Sequence, residues 1–433
     1  MMIEQKQMAG TVSHPLATAG STDLRLRLAA KAERFRPIPC STHVSAEDTT
    51  ARWQRSLPNC EQSQKVLMDA QTVEHISCFQ GNIENFIGTV KVPVGLAGPL
   101  RVNGLFAQGD YAIPLATTEA ALVASYHRGA QLISEVGGCS AMLLDEAVGR
   151  APGFAFRTLA ECRMVANWVE AHWEALRQEA SRTTRYGELS AIRAVIEGNH
   201  LYLHCNFSTG DAAGQNMVTI ATEAICAYIL QHCPIKPEYS FVEANLSGDK
   251  KASAQSLQTV RGKKVSAEVY IPAELVRARL HTTPQLMADY WRMGAMGAVL
   301  SGTLGIQGHF ANGLAALYIA CGQDAACVAE SAVGVTRFEV TPQGSLYAAV
   351  TLPNVIVGTV GGGTGLPGQH ACLDILKLAG PGRAQALAEV CAGVCLAGEI
   401  SLVAALCAGH FTRAHKRLAR DNKVAPGEEM HHG

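Results

Sequence analysis

The chain has 433 residues, which is enough for two or three domains with large apolar cores. Lys and Arg number 36 against 37 Asp and Glu, so no charge excess favours binding to nucleic acid or to an anionic membrane surface. The 14 cysteines form neither a CxxC pair nor a Cys/His array at zinc spacing. We therefore expect reduced thiols, no metal site and a cytoplasmic protein.

Two segments bear on whether the chain is secreted or crosses a membrane. The N-terminal sequence MMIEQKQMAG lacks the apolar run of a secretory signal. Residues 390–408 are apolar enough to resemble a membrane span, but Glu399 lies near their middle. We expect this stretch to be a buried core helix and the protein to make no membrane contact.

The first part of the chain leads to a strand and a helix. Residues 1–83 mix charged helical patches with prolines and predict a small helical region. A segment rich in Gly and Pro follows at 84–104, then a strand-like run at 111–115 and a helical pattern at 116–133. A strand that delivers the chain to a helix N-terminus is a common place for chemistry.

The pattern changes between residues 152 and 243. It predicts strand, helix, strand, turn, strand, helix and strand at 154–157, 159–179, 189–196, 197–199, 201–207, 213–231 and 239–244. That order is the split βαβ, or ferredoxin-like, arrangement. We expect an α/β (α+β) fold in which this unit is inserted into a larger domain of helices and sheet, made of 84–151 and 244–433. Apolar helices and Gly-rich turns are expected after residue 251.

Glu119 lies near the start of the predicted helix, after Thr117 and Thr118. An acidic residue there can simply complement the helix dipole or cap the helix. A carboxyl group that is buried instead can stay protonated near neutral pH and donate a proton. The local sequence leaves both roles open.

The segment LSGDKKASA places Asp249, Lys250 and Lys251 directly after the last strand of the inserted unit. Adjacent lysines usually belong to a solvated turn. A lysine at a domain junction, kept charged by a neighbouring aspartate, can instead stabilise the oxyanion of a reacting carbonyl. Composition favours the first interpretation and position favours the second.

Two later segments carry isolated polar residues. HFANGLAALYIACGQD predicts an apolar helix with His309 and Asn312 on one face of its start and Asp324 after its end. These residues can be no more than the polar ends of a helix. His415, in GHFTRAHKRL, is most simply an exposed residue of a basic terminal helix.

Two glycine-rich segments could bind a dinucleotide. GGGTGLPG contains the spacing GxGxxG, but Pro367 interrupts it and no clear βαβ unit with a ribose-binding acid follows. STGDAAGQNM, at 208–217, lies where a strand turns into a helix, and its backbone N–H groups would suit a pyrophosphate. Arg185 of the same unit could meet a 2′-phosphate.

From residue 84 to about 422, the order and separation of these segments resemble one family. The matching segments are ENFIG, PVGLAGPL, PLATTEAALVAS, Arg128-Gly129, GDAAGQNM, SGDKK, VRGKK, ACGQD, GTVGGGT, QHACL and AGEISLVAALCAGH. The family is 3-hydroxy-3-methylglutaryl-CoA (HMG-CoA) reductase, and the DKK loop resembles its class I, eukaryote-like pattern.

The resemblance implies an NADPH-dependent oxidoreductase. It would reduce HMG-CoA to mevalonate and free CoA with two NADPH, through a mevaldyl-CoA hemithioacetal and mevaldehyde. By the same matching, Glu119 is the general acid, Lys250 stabilises the oxyanion, Asp324 tunes both, and His415 protonates the departing CoA thiolate.

The resemblance also implies binding roles. Residues matched to substrate binding are Arg150, Ser247, Asp249, Lys251, His309, Asn312 and Arg128. Residues matched to cofactor binding are Arg185, Asp211, Asn216, Met217, Gly361, Gly362 and Gly363. Arg185 favours NADPH over NADH, and GTVGGGT is assigned to a subunit interface. The family pattern implies a homo-oligomer, a dimer or a dimer of dimers, with shared active sites.

Several positions depart from the family pattern. Ala120, Arg292 and Phe310 replace other residues in segments that face the pocket, and SGDKK is shorter than the class I loop. Asp421 stands where some members have a regulatory serine, so phosphorylation there is not expected. Two other functions stay open: reduction of a related acyl-CoA, and acyl-CoA binding without catalysis. The four intact catalytic positions argue against the second.

Overall fold

The chain is described by a computed structural model at residues 25–26, 28–31 and 37–409. Residues 25, 26 and 28 are helical, and the first elements described over their whole length are three short helices, α1 (Ala46–Ser56), α2 (Glu61–Leu67) and α3 (Ala70–Glu74). Trp53 of α1 is buried and donates its ring N–H to the carbonyl of Ile87 at 2.9 Å. Arg52 donates to the carbonyl of Phe86 at 2.6 Å. These bonds fasten the helical region to the segment that precedes the first strand.

Ten strands follow within the described residues. They are β1 (Val94–Gly104), β2 (Gln108–Ala116), β3 (Cys139–Arg150), β4 (Gly153–Ala155), β5 (Glu188–Glu197), β6 (His200–Ser208), β7 (Tyr239–Phe241), β8 (Gly262–Ile271), β9 (Val335–Val340) and β10 (Leu346–Val355). The α-helices after α3 are α4 (Leu122–Glu135), α5 (Leu159–Ala171), α6 (Trp173–Ser181), α7 (Gln215–His232), α8 (Gln255–Gln258), α9 (Ala273–Leu280), α10 (Pro284–Ser301), α11 (Phe310–Ala320), α12 (Val328–Ser331), α13 (Pro367–Ile375) and α14 (Ala384–Cys407).

The larger part of the sheet has the order β2-β1-β3-β8-β10-β9. Its neighbours are antiparallel, except that β1 and β3 are parallel. Along β8 every second residue is buried, from Val265 to Ile271, because one face of the strand packs into the core. Helix α14 packs against β8, β10 and β3, and also against α4.

Helix α14 forms the centre of the larger core. Among the described residues it alone is long and apolar enough to cross a membrane, and 83% of its most apolar window is buried inside the protein. The predicted core helix is therefore confirmed. Its carboxylates Glu389 and Glu399 are buried and accept backbone N–H groups, from the turn between β1 and β2 and from the start of α11.

The inserted unit has a second core. Its strands lie in the order β5-β6-β4-β7, all antiparallel, with α5, α6 and α7. This is the split βαβ arrangement, so the predicted fold class is confirmed. The last three residues of β3 pair with β6 and join the two parts of the sheet. The division of the chain at 152–243 stays a prediction.

Four sequence predictions differ from the structure. Helix α4 begins at Leu122 rather than near residue 116, because Ala121 adopts a left-handed conformation (φ 72°) and residues 117–120 form a turn. The predicted helix at 159–179 is two helices that meet at His172. The region after residue 251, where helices and Gly-rich turns were expected, also contains the strands β8, β9 and β10. The last strand predicted at 239–244 ends at Phe241.

Candidate active site

Lys250 and Asp324 form an ion pair at the junction between the inserted unit and the larger part. Lys250 Nζ lies 2.8 Å from Asp324 Oδ2, and each side chain is about 40% exposed (43% and 41%). The hydrogen bond with Asp324 raises the pKa of Lys250, so the ammonium remains charged. Burial alone would raise the pKa of Asp324, but Lys250 and the N–H of Ala326 lower it overall. A fixed positive charge of this kind can stabilise a developing oxyanion.

Asp249 is held by two buried arginines. Its Oδ2 lies 2.8 Å from Arg150 Nη1 and its Oδ1 lies 2.7 Å from Arg261 Nη2. The arginine side chains are only 9% and 4% exposed. Burial opposes ionisation of Asp249, yet Arg261 and Arg150 lower its pKa overall. Arg150 also donates from Nε to Thr219 Oγ1 at 2.7 Å. The loop that carries Lys250 is therefore anchored by charge pairs.

A third acid completes this network. Glu330 is 1% exposed, and its Oε1 lies 2.5 Å from Arg261 Nη1. The same oxygen accepts the backbone N–H of Lys250 at 3.1 Å. Burial raises the pKa of Glu330, and Arg261 opposes that shift. Arg261 thus bridges Asp249 and Glu330.

The network opens onto a cavity of about 610 Å³. The predicted site residues that line it are Arg150, Asn216, Met217, Asp249, Lys250, Asp324, Gly361, Gly362 and Gly363. Residues predicted for catalysis, substrate binding and cofactor binding therefore share one cavity.

The wall that carries the cofactor candidates suits an anionic dinucleotide. Helix α7 begins there, after Gly214 in a left-handed conformation (φ 77°), and its first N–H groups have no partner within the helix. Gly361 and Gly362 have φ of 74° and 54°, and a Cβ at either would meet nothing within 4 Å. Backbone can thus approach a ligand closely at this position.

Glu119, the other predicted catalytic residue described by the structure, does not line this cavity in the single chain. It is exposed, in the turn before α4, and its backbone N–H donates to Thr117 Oγ1 at 3.0 Å. Asn312 Nδ2 donates to the Glu119 carboxylate at 3.2 and 3.4 Å. Asn312 lies in the first turn of α11, whereas Asp324 follows the end of that helix. With 1.5 Å of rise per residue, Asn312 and Ala320 are about 12 Å apart along the axis.

Comparison with known proteins decides the family. A sequence model of the family "Hydroxymethylglutaryl-coenzyme A reductase" matches residues 51–420. The HMG-CoA reductase of Pyrococcus horikoshii is 45% identical over 347 residues, which cover 78% of this chain and 84% of that protein. This chain belongs to the HMG-CoA reductase family. It is thus an oxidoreductase, and the sequence resemblance is confirmed.

Other members of the HMG-CoA reductase family are also similar to this chain in sequence or in fold. The Aeropyrum pernix enzyme is 46% identical, over 78% of this chain and 82% of that protein. Two Streptococcus pneumoniae structures are 19% and 18% identical, with TM-scores of 0.60 and 0.62. They cover 80% and 88% of this chain and 84% and 91% of theirs. The first is a class II HMG-CoA reductase bound to NADPH in open conformations. At these identities the structures show the fold alone.

Within this family member, the other substrate candidates fall into two groups. Ser247 and Lys251 lie in the Lys250 loop, where Ser247 Oγ accepts the N–H of Asp249 at 3.3 Å and Lys251 Nζ donates to the Asp249 carbonyl at 2.8 Å. His309 lies at the start of α11, whereas Arg128 contacts α14. The N–H of His309 donates to Glu399 at 2.9 Å.

Arg128 is part of α4 and contacts α14. It donates to the carbonyl of Ser401 at 2.7 Å and to its hydroxyl at 2.9 and 3.1 Å. Burial lowers the pKa of Arg128. The arginine therefore joins two helices in the chain itself, and its predicted role in CoA binding stays a prediction.

Two cofactor candidates lie away from the cavity wall. The Asp211 carboxylate accepts the N–H groups of Gly382, Arg383 and Ala384 at 2.7, 3.0 and 3.1 Å, and so caps the start of α14. Arg185 is exposed, in the loop between α6 and β5. That loop reaches the first turn of α7, because Thr184 Oγ1 lies 2.9 Å from the sulfur of Met217. Cofactor contact by Asp211 or Arg185 stays a prediction.

The remaining positions have varied surroundings. His415 lies outside the described residues. Arg292 pairs with Asp289 on an exposed side of α10, whereas Phe310 is fully buried in the core and Ala120 is exposed in the turn beside Glu119. Of these three departures from the family pattern, only Ala120 directly adjoins a predicted catalytic residue.

Sequence reasoning missed two residues of the network. Arg261 lies in the matched segment VRGKK but carries no sign there of a role in the site, and Glu330 lies outside every matched segment. The available signal was a single acid within the apolar run AACVAESAV, because a buried carboxylate requires a partner.

Proposed function

We propose that the chain reduces HMG-CoA to mevalonate and free CoA with two NADPH. The observation that carries this proposal is the Lys250–Asp324 pair, which lines the same cavity as the start of α7 and the Gly361–Gly362 turn. A charged lysine suits a carbonyl that becomes an oxyanion, and the helix start and glycine turn suit a pyrophosphate.

The chemistry proceeds in two reductions. When bound, NADPH supplies one hydride to each of them. The thioester carbonyl becomes a mevaldyl-CoA hemithioacetal, whose C–S bond then breaks to give mevaldehyde and the CoA thiolate, and the aldehyde is reduced to mevalonate. In both reductions Lys250 stabilises the negative charge on the substrate oxygen, while Asp324 holds the ammonium in place.

Protons are needed at two atoms. We assign His415, by family matching, to protonation of the CoA thiolate, because the thiol is a much weaker nucleophile than the thiolate and re-adds to the aldehyde far more slowly. Glu119 is assigned, by family matching, to the substrate oxygen as the group that supplies its proton. It is exposed in the single chain, so this role requires that a second copy of the chain cover it. Asn312 orients the Glu119 carboxylate.

The active site is proposed to be shared between subunits. In one chain Glu119 contacts the first turn of α11, and Lys250 contacts Asp324, which lies four residues beyond the end of that helix, so the helix separates the two groups. A second copy, placed across GTVGGGT, can bring its Glu119 to the Lys250–Asp324 pair. A dimer or a dimer of dimers would then be the active form.

Arg185 is proposed to bind the 2′-phosphate of NADPH, as a guanidinium on the loop that contacts Met217. The unit 152–243 would then be the cofactor-binding domain. We expect the enzyme to act in the cytoplasm, in keeping with its 14 free cysteines.

The test is NADPH oxidation by the purified chain with HMG-CoA, with the product identified by mass. Formation of mevalonate with two NADPH consumed per molecule would support the proposal. No turnover by folded protein that binds CoA thioesters would overturn it. Assays with related acyl-CoAs would then separate an altered substrate from binding without catalysis.

A further inference from the structure

We propose that Glu330 is a positioning residue for Lys250, and that the short segment 324–331 holds this lysine at both ends. The inference deepens the proposed function and rests on it for the role of Lys250. Asp324, the first residue of the segment, binds the ammonium at 2.8 Å. Glu330, near its end, accepts the backbone N–H of the same lysine at 3.1 Å.

The backbone of Lys250 needs such a contact. Its φ is 56°, in the left-handed region that residues with a Cβ seldom occupy, and Gly248 two residues earlier has φ of 74°. The N–H of Lys251 donates to the Gly248 carbonyl at 3.1 Å and closes a tight turn. A hydrogen bond from outside the turn favours this one conformation over the alternatives.

Arg261 links the Lys250 loop to the segment 324–331 through two ion pairs. Its Nη1 pairs with Glu330 and its Nη2 pairs with Asp249, so one guanidinium fixes the acceptor of the Lys250 N–H and the side chain of the preceding residue. Arg261 and Glu330 are 4% and 1% exposed. Burying such a pair offers little net stability over apolar residues of similar volume, so its value here is the geometry that it imposes.

The segment itself is anchored in the larger core. Ser331, next to Glu330, donates to the carbonyl of Asn354 at 2.7 Å and accepts the hydroxyl of Tyr318 at 3.0 Å. Asn354 accepts the backbone N–H of Arg261 at 2.7 Å. Glu330 and Arg261 are therefore anchored, through Ser331 and Asn354, in the same part of the core, formed by α11 and β10.

The experiment compares Glu330→Gln and Glu330→Ala with the parent chain and with Glu389→Gln. Glu389 is an equally buried carboxylate with backbone N–H partners, but it binds the turn between β1 and β2. The first readout is kcat and KM for HMG-CoA. The second is amide hydrogen exchange of a peptide that spans 246–254, which needs no turnover.

We expect Glu330→Ala to lower kcat by about 10-fold or more, with KM changed less than about threefold, because the catalytic lysine is misplaced, and to speed exchange in 246–254. Glu330→Gln keeps an oxygen for the Lys250 N–H and should lose less than the alanine variant. Glu389→Gln should leave the exchange of this peptide unchanged. Parent-like kcat and exchange in Glu330→Ala would overturn the inference. An inactive parent, with exchange still faster in Glu330→Ala, would overturn the proposed substrate while supporting the positioning role.

Discussion

Asn312 and Asp324 lie at opposite ends of α11, and each contacts a different predicted catalytic group. Asn312 donates to Glu119, and Asp324 pairs with Lys250. The helix therefore sets the separation of the two groups within one chain. A positive charge that stabilises an oxyanion and a carboxyl group that donates a proton must meet the same substrate oxygen. This geometry favours a site that is completed by a second copy.

Lys250→Ala should lower kcat by about 10² to 10³-fold, because it removes the charge proposed to stabilise the oxyanion. The free energy of unfolding should change by less than about 1 kcal/mol, since the pair with Asp324 is partly exposed. Steady-state kinetics and urea unfolding measure the two effects. Lys65→Ala, at an exposed position of α2, is the matched control and should leave both unchanged. A variant with parent-like kcat would remove Lys250 from the chemistry.

Co-expression of Glu119→Gln and Lys250→Ala chains should restore activity that neither variant has alone. If the two groups come from different subunits, a mixed dimer has one site with both defects and one intact site. Isolated mixed dimers should then have about half of the parent activity, because one of their two sites is intact. The measurement is the rate per active site after isolation of mixed dimers with two affinity tags. Activity no higher than that of the single variants would place both groups in one chain.

The inserted unit could be predicted well from the sequence, because its strands and helices alternate clearly and turn residues separate them. The strands of the larger part were harder to predict. In β8 the buried residues Val265, Ala267 and Val269 alternate with partly exposed ones, as a half-buried strand requires. The segment VSAEVYI carries this period of two, so the sequence does contain a signal for β8.

The sequence also predicts only part of the candidate active site. Motif matching identified Lys250 and Asp324, which the structure brings together, but the placement of Glu119 depends on Ala121. Its left-handed backbone delays the start of α4, and no local propensity signals that conformation in an alanine. The partner of Glu330 lies 80 residues away along the chain. Sequence reasoning predicts local patterns, whereas such contacts arise only from tertiary packing.

Arg185→Ala should raise KM for NADPH by about 10-fold and leave KM for NADH unchanged, since only the former has a 2′-phosphate to pair with a guanidinium. The measurement is initial rate with each cofactor at saturating HMG-CoA. Arg182→Ala is the control, because Arg182 lies in the same region but already pairs with Glu179. Equal changes in KM for NADPH and for NADH would show that Arg185 does not recognise the 2′-phosphate.

Asp249→Asn should lower the free energy of unfolding by about 3 kcal/mol at neutral pH, because it leaves two buried arginines without their shared carboxylate. The pKa of Asp249 is lowered from 3.8 in the folded chain, so its contribution is present above pH 3.8 and is lost as pH falls through the folded value. The difference in free energy of unfolding between parent and variant should thus be constant from neutral pH to about pH 5 and become smaller below pH 3.8. Urea unfolding across this range tests it. Asp374→Asn, at an exposed position of α13, should stay within about 0.5 kcal/mol of the parent.

Asp211→Ala should lower the free energy of unfolding by about 1 to 2 kcal/mol, because three N–H groups at the start of α14 lose their acceptor. Asp211→Asn keeps an acceptor oxygen and should lose less. If capping is the whole role of this residue, KM for NADPH changes less than twofold in both variants. Thermal unfolding and cofactor titration separate the two roles. A 10-fold rise in KM for NADPH with unchanged stability would instead place Asp211 against the cofactor, as the family resemblance predicts.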